Sequence, residues 1–239
     1  MRFCRRSCQA TLFCGVFLSL ADAETKPELK LPETAAPTSY KAELTLDPAK
    51  DDFSGLISIQ IDVWQATQTL WLNATSISVA DATLKLGGKT LSAQAAASGE
   101  EFLSLTFNSE IPKGSGELTI RYTGKVRHQN SSGVFRMEDQ GNRYLFTQFE
   151  STDARGAFPC FDEPSYKVPW QITLHVPAAD TAVSNTPIAQ ERSDESIKTY
   201  VFKKTKPLPS YLVAFAVGPF EYVDGGKAGR NQFLSLIHI

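Results

Sequence analysis

Apolar and polar residues alternate one by one through much of this chain, and that repeat limits what it can fold into. Tyr40, Ala42, Leu44 and Leu46 are interleaved with Lys41, Glu43 and Thr45, and Ile57, Ile59, Ile61 and Val63 with Ser58, Gln60 and Asp62. A period of two sends apolar side chains to one face of a pleated backbone and polar ones to the other, so both segments read as half-buried strands. The repeat returns at Leu84-Lys85-Leu86, at Leu103, Leu105 and Phe107, and at Leu118, Ile120 and Tyr122. Further strand-like runs are Tyr144 to Phe149, Trp170 to Val176, Ile197 to Phe202 and Tyr211 to Val217. Gly87-Gly88, directly after Leu86, suits the positive backbone angles of a two-residue hairpin turn. No long stretch carries a helical period. The one helix-like segment, Asp153 to Phe158, stops at Pro159, because proline disfavours helical geometry in the residue before it. The expected fold is all-β, an antiparallel β-sandwich or related antiparallel sheets.

Residues 1–23 stand apart from this pattern. Arg2, Arg5 and Arg6 precede an apolar run from Ala10 to Leu20, and Ala21-Asp22-Ala23 offers the small residues of a cleavage site, so the segment reads as a secretory signal peptide. Its eleven apolar residues are too few for a bilayer, which takes about 20, so no transmembrane span is predicted. The expected location is therefore exported, periplasmic or extracellular. Three of the four cysteines, Cys4, Cys8 and Cys14, fall in this leader, which leaves Cys160 alone and no internal disulfide in the mature chain. Residues 24–38, with Pro27, Pro32 and Pro37, read as an extended lead-in, and residues 39–225 as the β domain. Residues 226–239 read as a truncated or foreign tail. The 24 Lys plus Arg nearly balance the 26 Asp plus Glu, so there is no basic footprint for nucleic acid.

The inventory of catalytic groups is short. The three histidines, His128, His175 and His238, are far apart in sequence, so no two fall on one turn of a helix as H-E-x-x-H requires. There is no G-x-S-x-G elbow and no phosphate-cradling glycine loop. Trp64, Trp71 and Trp170 could stack on sugars, as in a carbohydrate-binding module, but are expected in the core. Asn73-Ala74-Thr75 and Asn130-Ser131-Ser132 are glycosylation sequons, usable only in a eukaryotic secretory pathway.

One segment departs from this background. Residues 147–164 read Thr147-Gln148-Phe149-Glu150-Ser151-Thr152-Asp153-Ala154-Arg155-Gly156-Ala157-Phe158-Pro159-Cys160-Phe161-Asp162-Glu163-Pro164. Gln148 and Glu150, two apart on an extended strand, face the same side. A carboxylate there, in a partly dry cleft, can pair with an ammonium more strongly than in bulk water. Asp153, Arg155, Asp162 and Glu163 are expected to form a charge network that fixes the loop, and Cys160 to act as a small buried hydrophobe.

The segment resembles the aminopeptidase N type (gluzincin) of zinc metallo-aminopeptidase, in which T-Q-F-E-x-T-D-A-R-x-x-F-P-C-F-D-E-P lies in a saddle-like amino-terminal β domain. Ser184-Asn185-Thr186-Pro187 and the run from Tyr211 to Gly218, leading to Phe220-Glu221-Tyr222, extend the likeness over roughly Leu31 to Asp224. The resemblance implies substrate-binding roles: Glu150 would bind the free amino group of a peptide, and Gln148 would line the pocket for its first side chain. Ser151 stands where proline is frequent in the family. The family's following domain carries G-x-M-E-N and the zinc motif H-E-x-x-H, and neither occurs here. The expectation is therefore a substrate-recognition domain truncated before its catalytic domain, without catalytic residues or bound cofactor of its own and inactive alone, with zinc in the missing domain. Its expected partners are that domain and peptide amino termini. The alternative is a stand-alone β-sandwich that binds peptides or proteins.

Overall fold

A computed structural model describes residues 26–229 and 231–237, so the expected leader, residues 1–23, lies outside the described residues. The strands are β1 (Ala35–Thr45), β2 (Asp52–Val63), β3 (Thr67–Asn73), β4 (Ser78–Leu86), β5 (Lys89–Ser98), β6 (Phe102–Ile111), β7 (Gly114–Lys125), β8 (Gly133–Asp139) and β9 (Asn142–Gln148). They continue with β10 (Trp170–Pro177), β11 (Thr181–Ser184), β12 (Ile188–Ser193), β13 (Ile197–Phe202), β14 (Phe215–Gly218), β15 (Glu221–Ala228) and β16 (Asn231–Ile237). Two short 3-10 turns, Asp153–Gly156 and Ser210–Leu212, are the helical elements among the described residues. The fold is all-β.

Ten strands form one sheet in the order β12-β13-β10-β1-β2-β7-β4-β5-β6-β3, and four form a second in the order β11-β14-β9-β8. Alternation does what the sequence requires: Tyr40, Ala42 and Leu44 of β1 and Ile57, Ile59 and Ile61 of β2 are all buried on the same side. Gly87 and Gly88 take φ values of 58° and 76° in the turn joining β4 to β5, the left-handed geometry that the pair favours. Along β5 the pairing changes hands: Lys89 to Ser92 bond to β4, and Ala93 to Ser98 bond to β6. Leu103 and Leu105 of β6 and Leu70 and Leu72 of β3 thereby join the core formed by Leu84, Leu118 and Ile120.

Pairing is not antiparallel throughout. β1 and β10 run parallel, with Tyr40 opposite Trp170 and Leu44 opposite Leu174. No hairpin links them, since the chain passes through β2 to β9 in between, so nothing local dictates an antiparallel return. The strand expected over Tyr211 to Val217 is also shorter than its sequence suggests. Ser210–Leu212 closes a 3-10 turn through Val213 N–H donating to Ser210 O (3.0 Å), and β14 begins only at Phe215. β1 starts at Ala35, inside the expected lead-in, and the boundary expected at residue 225 falls within β15. Trp71 and Trp170 lie in the core, whereas Trp64 is half exposed, one residue beyond the last core position of β2, Val63.

Candidate functional site

The segment carrying the motif enters from β9 and is held down by aromatic rings. Phe149, Phe158 and Phe161 are all buried. Phe149 meets Phe158 edge-on with centroids 5.8 Å apart, Phe158 packs at 5.3 Å on Trp170, and Trp170 stacks on Tyr40 at 3.8 Å. Aromatic anchors of this size bury enough area to fix the backbone between them.

Gln148 and Glu150 flank the buried Phe149 and are both exposed. Gln148, the last residue of β9, pairs with Gly133 of β8. The backbone N–H of Glu150 donates to Gln148 Oε1 at 3.2 Å, and Glu150 itself lies beyond the end of β9, in a turn, rather than on the extended strand that the sequence suggests. Asp153 N–H donates to Phe149 O at 3.0 Å, which closes a turn around Glu150, and the Glu150–Ser151 peptide is cis.

The remaining charged groups of the segment are tied down, though not in one network. Asp153 pairs with Arg127 at 2.7 Å. Arg155 Nε donates to Asp162 Oδ2 at 2.9 Å in a buried ion pair, and its Nη1 reaches Glu101 at 3.2 Å. The Ser210 hydroxyl donates to the other Asp162 oxygen, and the Asp162 N–H donates to Asn73 Oδ1 at 3.1 Å. Glu163 turns the opposite way and accepts the Leu31 N–H at 2.7 Å. Adjacent carboxylates thus serve two different anchors. Asn73, Arg127 and Ser210 complete these anchors from distant parts of the chain, and no local motif marks them.

Electrostatics follow burial. Burial raises the Asp162 carboxyl above the ordinary aspartate range, against the opposing pull of the hydrogen bonds from Ser210 and Arg155. Burial, with the charge of Asp162 nearby, pushes the Cys160 thiol well up, which makes it an inert core residue. Asn73 is also buried and exchanges backbone hydrogen bonds with Cys160 in both directions, so the folded protein does not present that sequon. Asn130 is exposed.

The described residues do not fit a zinc ion. No three His, Cys, Asp or Glu side chains among them converge as ligands. His128 contacts Asp51 at 3.2 Å, and His175 is bonded to Thr199 at 2.9 Å. No helix among the described residues is long and apolar enough to cross a membrane.

Residues 36–212 match the Peptidase M1 N-terminal domain family. The chain is 37% identical over 219 residues to Aminopeptidase M1-D of Oryza sativa subsp. japonica, a match covering 90% of this chain and 25% of that protein. It is 32% identical over 207 residues to Aminopeptidase N of Acetobacter pasteurianus, covering 84% of this chain and 57% of that protein. Against Glutamyl aminopeptidase of Sus scrofa the identity is 30% over 209 residues, with 82% and 22% covered. The chain therefore spans a quarter or less of the plant and animal relatives named here, and little more than half of the bacterial one.

Proposed function

The chain belongs to the Peptidase M1 N-terminal domain family, and from that membership we propose that it is the substrate-recognition domain of an exported zinc aminopeptidase. Glu150 receives the α-ammonium of a peptide, and Gln148 lines the pocket for the first side chain. Zinc and the water it activates belong to a separate catalytic domain, so this chain alone does not hydrolyse peptides. Residues 1–23 direct export and are removed.

One contrast carries this reading. Asp153, Arg155, Asp162 and Glu163 each have a partner within the fold, and the Glu150 carboxylate alone among the charged groups of residues 147–164 has none among the described residues. An exposed acceptor on a pinned turn, with no partner in the fold among the described residues, is suited to a ligand that brings its own donors. An ammonium does so with charge assistance, and covering the site by a second domain strengthens the pair by excluding water.

Two measurements test the reading. The purified chain with added zinc is expected to release nothing from an aminoacyl chromogenic substrate, and turnover would overturn the claim that catalysis lies elsewhere. L-leucine amide at tens of millimolar is expected to shift the Glu150 carboxyl carbon resonance, with N-acetyl-L-leucine amide silent. An equal response to both would remove Glu150 as an amine site.

A further inference from the structure

We infer that Arg127 is a positioning residue for Glu150, an inference that rests on the reading of Glu150 as the amine-binding group. Arg127 lies in the connection between β7 and β8 and has a rigid base. Its N–H donates to Val134 O at 2.8 Å, and its carbonyl accepts the Arg136 N–H at 2.9 Å. From that base the guanidinium reaches two places that define where Glu150 sits. It binds Asp153 Oδ1 at 2.7 Å through Nη1, and the same nitrogen donates to the Ser132 hydroxyl.

Asp153 is the residue whose N–H closes the turn over Phe149 O, so the ion pair pulls on the downstream end of the loop that holds Glu150. The upstream end is set through Gly133, the pairing partner of Gln148. The guanidinium runs directly against that glycine. A Cβ on Gly133 would lie 3.2 Å from Arg127 Nε and Cζ, and its φ of +67° favours glycine in any case. Gly156, at the end of the 3-10 turn, leaves similar room, since a Cβ there would lie 3.4 Å from Nη2. The cation is thus packed between the strand residue opposite Gln148 and the turn that follows Glu150. Arg127 and Asp153 are each about 30% exposed, so the pair is partly shielded from water, and the flat guanidinium fits against Gly133 and Gly156 where both of its contacts leave from one nitrogen.

Positioning and simple electrostatics predict opposite signs. Removing a nearby positive charge would by itself make the Glu150 site more attractive to a cationic amine. Removing a clamp lets the carboxylate wander and weakens binding. In the full chain, Arg127→Gln is expected to weaken the L-leucine amide response at Glu150 about fivefold, as a loss of preorganisation would. Arg127→Lys, which keeps the charge and one contact, is expected to recover part of it. Unchanged or tighter binding in Arg127→Gln overturns the inference. A second readout needs no ligand: exchange of the Asp153 amide should quicken about tenfold in Arg127→Gln while core amides of β1 and β2 keep their protection. Unchanged exchange at Asp153 overturns the clamp even if the amine binds. Loss of the amine response in the unsubstituted chain counts instead against Glu150 itself, with exchange still deciding the role of Arg127.

Discussion

Asp162 and Glu150 lie in one short segment, and the fold treats their carboxylates in opposite ways. Asp162 is buried, with Arg155 of the same segment and Ser210 and the Asn73 side chain from two distant parts of the chain gathered around it. Glu150 is exposed and its carboxylate is unpartnered among the described residues, although the backbone on either side is pinned by Phe149 and Asp153. The buried group supplies rigidity, and the exposed one is left available. On the proposed reading of Glu150 the segment divides two tasks between separate residues, since a carboxylate committed to a buried ion pair is not free to meet a ligand.

The division can be broken from either side. The largest effect is expected for Asp162→Ala, which removes the buried partner of the Arg155 guanidinium and leaves it the largely exposed Glu101. Losing one partner of a buried pair costs about 3–5 kcal/mol, to be read as a drop in the urea midpoint or as failure to fold. Ser210→Ala removes one donor and leaves the other contacts of Asp162 in place, so urea unfolding should show a smaller loss of about 1–2 kcal/mol.

Asp180 offers a third case, a buried carboxyl held up by desolvation and by the charge of Asp47, against the opposing pull of Lys198, to about 6 from the ordinary 3.8. Between those values the folded chain holds more proton than the unfolded one, so this group's contribution to stability falls as pH rises from about 4 to about 6 and stays low above. Asp180→Asn should therefore raise the melting temperature by a few degrees near pH 8 and leave it unchanged near pH 3.5. The smallest stability effect belongs to Glu150→Gln, within about 0.5 kcal/mol of the parent, while the L-leucine amide response disappears. A large stability loss in that variant would erase the distinction between the two carboxylates.

Legibility in the sequence follows the same physics. β1, β2, β6, β7 and β10 could be read from alternation because each buries one face and wets the other. β3 could not, since Leu70 to Asn73 are buried in succession and no period of two survives. β12 is exposed along its whole length, so its side chains carry no pattern at all. The turn at Ser210–Leu212 interrupts what reads as one apolar run, because Ser210 is drawn to Asp162 from 48 residues away. Gln148 and Glu150 stand out in the sequence through the motif and their spacing, and the fold leaves both exposed. Arg127 and Asn73 do not stand out, because what makes them matter is the strand register that brings them to the segment, and register is a property of the whole sheet.

The parallel pairing of β1 with β10 bears on how the chain comes to be folded. Tyr40 cannot meet Trp170 until every strand from β2 to β9 has been synthesised, so the contact that joins the motif's aromatic anchors to the large sheet is among the most non-local in the molecule. Loop closure of that kind is slow, and until β10 arrives the outer edge of β1 offers unpaired backbone groups to any neighbouring chain. Late closure makes the interval between synthesis of β1 and of β10 the period of greatest exposure to aggregation, and a chaperone that shields the β1 edge would act there.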